Sequence, residues 1–161
     1  MQKLFYVLAL VLVVAACDNS ETSSVQGKRN AVSVSDAYAF ATPGSFPAAA
    51  VFMTLANKTK DNDTMIGFTT NRGTKAELHT MEMNGDIMQM RAVDGYEVEA
   101  GQQHVLQSGG DHIMVFGIKN PLKAGDSFEG RAVFEKAGEI PVTVMVRERS
   151  TSRSEMNMQN K

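Results

Sequence analysis

After residue 30 the chain alternates apolar and polar residues in short runs broken by turn residues, and nowhere does a long stretch hold a helical period. The first run is Ala31 to Phe40, with Val32, Val34 and Ala37 as apolar marks, closed by Thr42-Pro43-Gly44. Ala48 to Asn57 is nearly continuously apolar and reads as a buried strand, followed by a charged turn from Lys58 to Asn62. Strands are expected next over Thr64–Thr70 and Thr74–Glu82, with Asn71-Arg72-Gly73 between them. Beyond a hairpin come Tyr96–Val98, Gln103–Gln107, His112–Ile118, Ser127–Glu135 and Glu139–Arg147. Many short strands with turn signals at such intervals predict an all-β, antiparallel sandwich or barrel.

The hairpin is the first place where the pattern carries chemistry. Asn84-Gly85 suits a two-residue type I′ turn, and that turn would set Met83 against Asp86, Met81 against Met88 and His79 against Met90. Period two then gathers His79, Met81, Met83, Met88 and Met90 on one face. Downstream, Gly109-Gly110 marks a turn, and His112 and Met114 share a face of the strand that follows. Of 11 methionines, four fall between Met81 and Met90 and a fifth is Met114. A thioether is a soft, neutral donor that suits Cu(I) and holds Zn(II), Mg(II) or Ca(II) poorly, so two His-plus-Met pairs suggest a soft-metal site. The competing reading is that these methionines fill a core, as most do.

The ends differ from the middle. Residues 1–17 have Lys3 in a short n-region, an apolar stretch from Leu4 to Val14 too short to span a bilayer, and small residues before Cys17. Val14-Ala15-Ala16-Cys17 resembles a bacterial lipobox, with Cys17 acylated as the first mature residue; an ordinary signal peptide cleaved near Ala16 is the alternative. Asp18 resembles the signal that retains enterobacterial lipoproteins in the inner membrane, which places the protein on the periplasmic face, lipid-anchored. Residues 18–30 read as a flexible tether, residues 31–147 as the folded domain and residues 148–161 as a disordered tail, in which Met156 and Met158 make at most a weak extra soft-metal site.

Composition trims the options. In 161 residues with 43% hydrophobic content, one domain with a sizeable core is expected, and a formal charge of −2 with no basic stripe argues against nucleic acid as partner. Cys17 is the only cysteine, so neither an internal disulfide nor the thiolate of a blue-copper electron-transfer centre is available to the domain.

The run His79, ten residues, Met90, twenty-one residues, His112, one residue, Met114 matches the ligand pattern of the PCu(A)C family of periplasmic copper chaperones. The resemblance extends from about Val34 to Arg147 through SDAYAFATPG, PAAAVFMTLAN, NPLKAGDSF and VFEKAGEIPVTVMV. It implies a cupredoxin-like antiparallel β-sandwich of Greek-key type, Cu(I) bound by His79, Met90, His112 and Met114, and delivery to the dinuclear copper centre of cytochrome c oxidase. A copper-accepting oxidase subunit, and a Sco-type thiol protein beside it, are the implied partners of a monomeric non-enzyme. Family members often carry Trp and Arg where this chain has Tyr38 and Phe40, a departure expected to touch the scaffold rather than a ligand. A copper-sequestering lipoprotein without a dedicated acceptor, or a metal-free docking module, are the other functions considered.

Other candidates are set aside. His104 lacks a Met or carboxylate partner at period two and reads as an exposed histidine. Met81, Met83 and Met88 read as a hydrophobic collar or docking surface. Glu77, Glu82, Asp86 and Asp111 form no triad with a serine and histidine, though Asp111 could steer His112. The two halves of the site are expected to meet at one end of the sandwich, where loops converge.

Overall fold

The computed structural model describes residues 31–42, 44 and 46–149; Cys17, the tether over 18–30 and the Met156/Met158 pair lie outside them. Ten strands follow one another: β1 (Val32–Phe40), β2 (Ala48–Asn57), β3 (Asp63–Thr70), β4 (Lys75–Asn84), β5 (Ile87–Val93), β6 (Tyr96–Val98), β7 (Gln103–Leu106), β8 (His112–Phe116), β9 (Ser127–Phe134) and β10 (Gly138–Arg147). They hydrogen-bond in the order β5-β4-β8-β2-β1-β10-β9-β3-β6, with β7 pairing β2 beyond β8. Every pair is antiparallel except β1 with β10.

The sheet closes on itself as a sandwich. Its core draws Leu78 and Ile113 from β4 and β8 at one end of the order, and Met65, Phe134 and Val144 from β3, β9 and β10 at the other. β2 is buried except at Ala50 and Thr54, which are half-buried, because β1 flanks one edge and β7 and β8 share the other. Met53, Leu55 and Met65 are at most 1% exposed. Truncating any of them to alanine would cost about 2–5 kcal/mol.

A bulge in β1 decides what faces the future site. Register with β2 shifts between Ser35 and Tyr38, and Asp36 takes a φ of 52°, a left-handed backbone that Asp tolerates better than most residues. Before the bulge, Val32 and Val34 point at the core; after it, Ala37 and Ala39 do. Tyr38 and Phe40 are thereby turned to the outer face of the β1-β2-β8-β4 layer, where they join Phe52 in an aromatic cluster with ring centroids 5.1–5.7 Å apart.

Candidate metal centre

The four candidate ligands all sit in strands, on the outer face of the layer formed by β5, β4, β8 and β2. Leu78 and Ile113 are opposite one another and belong to the core, so their neighbours His79 and His112, also opposite one another, project from the other face. The expected meeting of loops at one end is therefore corrected: β4 and β8 are adjacent strands, and their register alone brings the imidazoles together. Their rings lie 5.8 Å apart, edge to face. Both histidines are buried, at 9% and 5% exposure.

The hairpin turn also differs from expectation. Asn84 pairs with Ile87, leaving Gly85-Asp86 as the two-residue loop, with Gly85 at a φ of 63°. A positive φ at the first loop residue alone is the type II′ pattern, with glycine where that turn requires it. Each cross-strand partner moves by two residues as a result: Met90 stands opposite Met81, and His79 opposite Ala92. A shift of two preserves the face, so His79, Met81, Met83, Met88 and Met90 still share one, and Met90 takes the diagonal position across from His79.

Met90, His112 and Met114 line one cavity of about 370 Å³ with Phe40, Phe46 and Ala48–Ala50; His79 is not part of that lining, its ring lying 5.8 Å from that of His112. Arg149 also lines it, its guanidinium 4.8 Å over the Phe40 ring, while Arg147 lies 4.4 Å over Tyr38. Phe40 is thus part of the wall around two candidate sulfurs and an imidazole, and is more than scaffold.

The hydrogen bonds of the two histidines fix which nitrogens remain free. His112 Nδ1 lies 2.9 Å from the Gly110 carbonyl, which only accepts, so Nδ1 carries the proton and Nε2 keeps its lone pair. His79 Nε2 lies 3.0 Å from Glu77 Oε2, and the carboxylate likewise accepts. His79 Nδ1 is then a bare lone pair, buried and with no hydrogen-bond partner among the described residues. A buried imidazole nitrogen left without a proton donor suits a metal, and a carboxylate holding the opposite nitrogen is the usual companion of a metal-bound histidine. Glu77, opposite Met114 on β8, is itself paired with Lys75. The Lys75 ammonium first, and the His79 imidazole second, hold its carboxyl below the usual carboxylate range.

Tyr96, read from the sequence only as the start of a short strand, supports both histidines from the core side. Its hydroxyl accepts the His79 N–H at 2.9 Å and shares its proton between the carbonyls of His79 (2.8 Å) and His112 (2.7 Å). The β4–β8 ladder ends at this pair, and the phenol takes up the backbone groups that the last rung leaves free. Burial raises the phenol's pKa far above its ordinary value.

Two minor expectations are corrected. Asp111 bonds His104, Oδ2 to Nε2 at 2.8 Å, rather than His112, because neighbours on a strand point to opposite faces. His104 consequently has a carboxylate partner, is half-buried, and stacks on Tyr96 with centroids 5.4 Å apart.

Among the described residues, no three His, Cys, Asp or Glu side chains gather to hold a metal. The further soft donors on this face are the thioethers of Met90 and Met114, which line the same cavity as His112. Two neutral imidazoles and two thioethers form a donor set for a soft monovalent d¹⁰ ion.

Comparisons with known proteins agree with this architecture. The copper-bound PCuAC domain of PmoF2 is similar in structure at a TM-score of 0.62 and 19% identity, covering 73% of this chain and 93% of that one. The Cu(I)-loaded form of DR1885 from Deinococcus radiodurans matches with a TM-score of 0.59 and 28% identity over 78% of this chain and 85% of that one. The fold is accordingly cupredoxin-like. In sequence, "Putative lipoprotein Lxx21020" of Leifsonia xyli subsp. xyli is 31% identical over 146 residues, covering 88% of this chain and 87% of its own. The model of the family described as "Putative lipoprotein LpqE-like" matches residues 32–146, the whole sandwich that carries the two histidines, and the chain belongs to that family.

Proposed function

We propose that this protein is a lipid-anchored Cu(I) metallochaperone whose site consists of His79, Met90, His112 and Met114. The observation that carries the reading is the pair of buried imidazoles 5.8 Å apart, each with one nitrogen held by an acceptor and the other left as a lone pair. Similarity to PCuAC domains solved with copper, one of them Cu(I)-loaded, supports it.

The donor set explains how such a site could both hold and release its cargo. Four neutral ligands leave the ion's positive charge uncompensated, and soft sulfur favours Cu(I) over Cu(II). Burial grades the ligands: Met90 is 49% exposed, whereas His79 and His112 are buried. An incoming donor would displace Met90 first and the histidines last, so the ion passes by stepwise exchange without ever being free. Every step is a ligand substitution, which asks no covalent catalysis of the protein.

The acceptor we propose is the dinuclear copper centre of a cytochrome c oxidase subunit, with a Sco-type thiol protein collaborating. Cys17 would anchor the chain at the periplasmic face of the inner membrane, and residues 18–30 would let the domain reach a membrane enzyme.

Cu(I) titration under reducing conditions tests the site. Met90→Ala and His112→Ala should each weaken binding at least tenfold, and unchanged affinity in both would remove the proposal. Delivery is tested separately in a deletion strain grown under copper limitation. Loss of oxidase activity supports delivery, whereas full oxidase activity with new copper sensitivity would favour sequestration.

A further inference from the structure

We propose that the projecting β4–β5 hairpin carries a second soft-metal site, built from Met83 and Met88 with Met81 inward of them, through which Cu(I) enters. As an entry route this rests on the reading of the inner site as a copper carrier. The argument begins with exposure. Met83 and Met88 are 62% and 53% exposed, so neither fills a core, and the first six residues of β5 are all exposed. The hairpin is a two-stranded ribbon extending past the sandwich, and its opposite face carries Thr80, Glu82, Gln89 and Arg91, with the Glu82–Arg91 ion pair across it and Ile87 at the tip.

On the methionine face the register sets out two rungs. Met83 stands directly opposite Met88, and Met81 directly opposite Met90. Directly opposed residues have Cβ atoms roughly 4.5–5.5 Å apart, close enough for two flexible thioethers to converge on one ion. Successive rungs on one face are about 7 Å apart along the strand, a distance that long side chains from both rungs can bridge. Two sulfurs satisfy a d¹⁰ ion that accepts low coordination, and Met81 offers a third. Met90 belongs to both the ladder and the inner cavity, so an ion bound at the tip has a continuous path of sulfur to His112 and His79.

The outer site lacks an imidazole and is open to water, so it should bind more weakly than the inner one. That ordering is what an entry port needs, because the ion then moves inward downhill.

The experiment is a titration of the full chain with Ag(I), a redox-inert stand-in for Cu(I), followed by ¹³C-methyl signals of the methionines. Wild type should take two equivalents, the first shifting Met90 and Met114 and the second shifting Met83 and Met88. The double variant Met83→Leu/Met88→Leu, near-isosteric at exposed positions, should take one and retain the tight site. His79→Ala/His112→Ala should lose the tight site and keep the Met83 and Met88 response. A second equivalent that leaves Met83 and Met88 unmoved, or a leucine variant that still takes two, overturns the outer site alone. A response at Met83 and Met88 with none at Met90 and Met114 would overturn the inner site and leave the outer one standing.

Discussion

Glu77 Oε2 lies 3.0 Å from His79 Nε2 and so determines that the other nitrogen of that ring, Nδ1, presents a lone pair in a buried position. Because Glu77 is kept ionised by Lys75 and then by His79 itself, the carboxylate remains an acceptor as the pH falls below the range where an ordinary glutamate would protonate. Removing it frees the ring to reorient or change tautomer. Companion residues of this kind are worth roughly 10–100-fold in metal affinity. Glu77→Ala should therefore weaken Cu(I) binding about tenfold or more, and Glu77→Gln, whose amide oxygen still accepts, should weaken it less. Competition against a chromophoric Cu(I) chelator measures both, and equal affinity for Glu77→Ala and wild type would show the contact to be incidental.

Tyr96 makes a different prediction, since it touches the backbone of the site and no ligand atom. Tyr96→Phe removes the hydroxyl that serves three backbone groups of His79 and His112. Leaving such buried groups unpaired costs roughly 1–3 kcal/mol. The native phenol is held neutral, so its ionisation opposes folding: stability is intact below the phenol's ordinary range and is lost as the pH climbs above about 10, where the unfolded chain ionises. Denaturant unfolding of Tyr96→Phe should show the stability loss together with a blunted alkaline decline. A variant as stable as wild type with an unchanged alkaline decline would refute the role given to the hydroxyl.

Asn57 should matter for the same reason at one remove. It is 1% exposed, and its amide donates to the carbonyls of Asp61 (2.8 Å) and Val98 (2.9 Å) while its oxygen accepts from Thr59 N and Oγ1. The bond to Val98 ties the end of β2 to β6, the strand that carries Tyr96. Asn57→Ala should cost on the order of 3 kcal/mol, since the buried Val98 carbonyl and the half-buried Thr59 groups lose their partner at once. Chemical denaturation gives the value, and a loss below about 0.5 kcal/mol would mean that water replaces the side chain at no cost.

What the sequence could reveal about this arrangement depended on the range of the interaction. Short apolar runs between turn residues mark the strands, β2 by a continuous apolar run rather than by period two, and period two places His79 with the hairpin methionines and His112 with Met114, because face membership is a local property of a strand. The turn was less legible, since both Asn84-Gly85 and Gly85-Asp86 are turn dipeptides; the error moved each partner by two residues and left every side chain on its face. The bulge at Asp36 sends Tyr38 and Phe40 outward, yet nothing in VSVSDAYAF distinguishes it from an uninterrupted strand. Tyr96 and Glu77 were missed as parts of the site for opposite reasons. Tyr96 comes from β6, at the far end of the strand order from β4, whereas Glu77 is two residues from His79 on the same face, where an exposed acidic residue and a partner for the ring look alike in sequence.

Arg149 supplies a prediction of opposite sign to the others. Its guanidinium lines the same cavity as Met90, His112 and Met114, held by its stacking over Phe40 at 4.8 Å. A cation bound by neutral ligands there would feel a second positive charge across a partly solvated gap, a repulsion worth roughly 0.5–1 kcal/mol at low salt and less at high salt. Losing the stack on the half-buried Phe40 ring costs about 1 kcal/mol, and that cost falls on folding rather than on binding. Arg149→Ala should therefore bind Cu(I) about two- to fivefold more tightly than wild type at low ionic strength, with the difference shrinking as salt is added. Chelator competition at two salt concentrations reads this directly. Weaker binding in the variant would mean that the guanidinium organises the cavity wall through Phe40 and that its charge is a secondary matter.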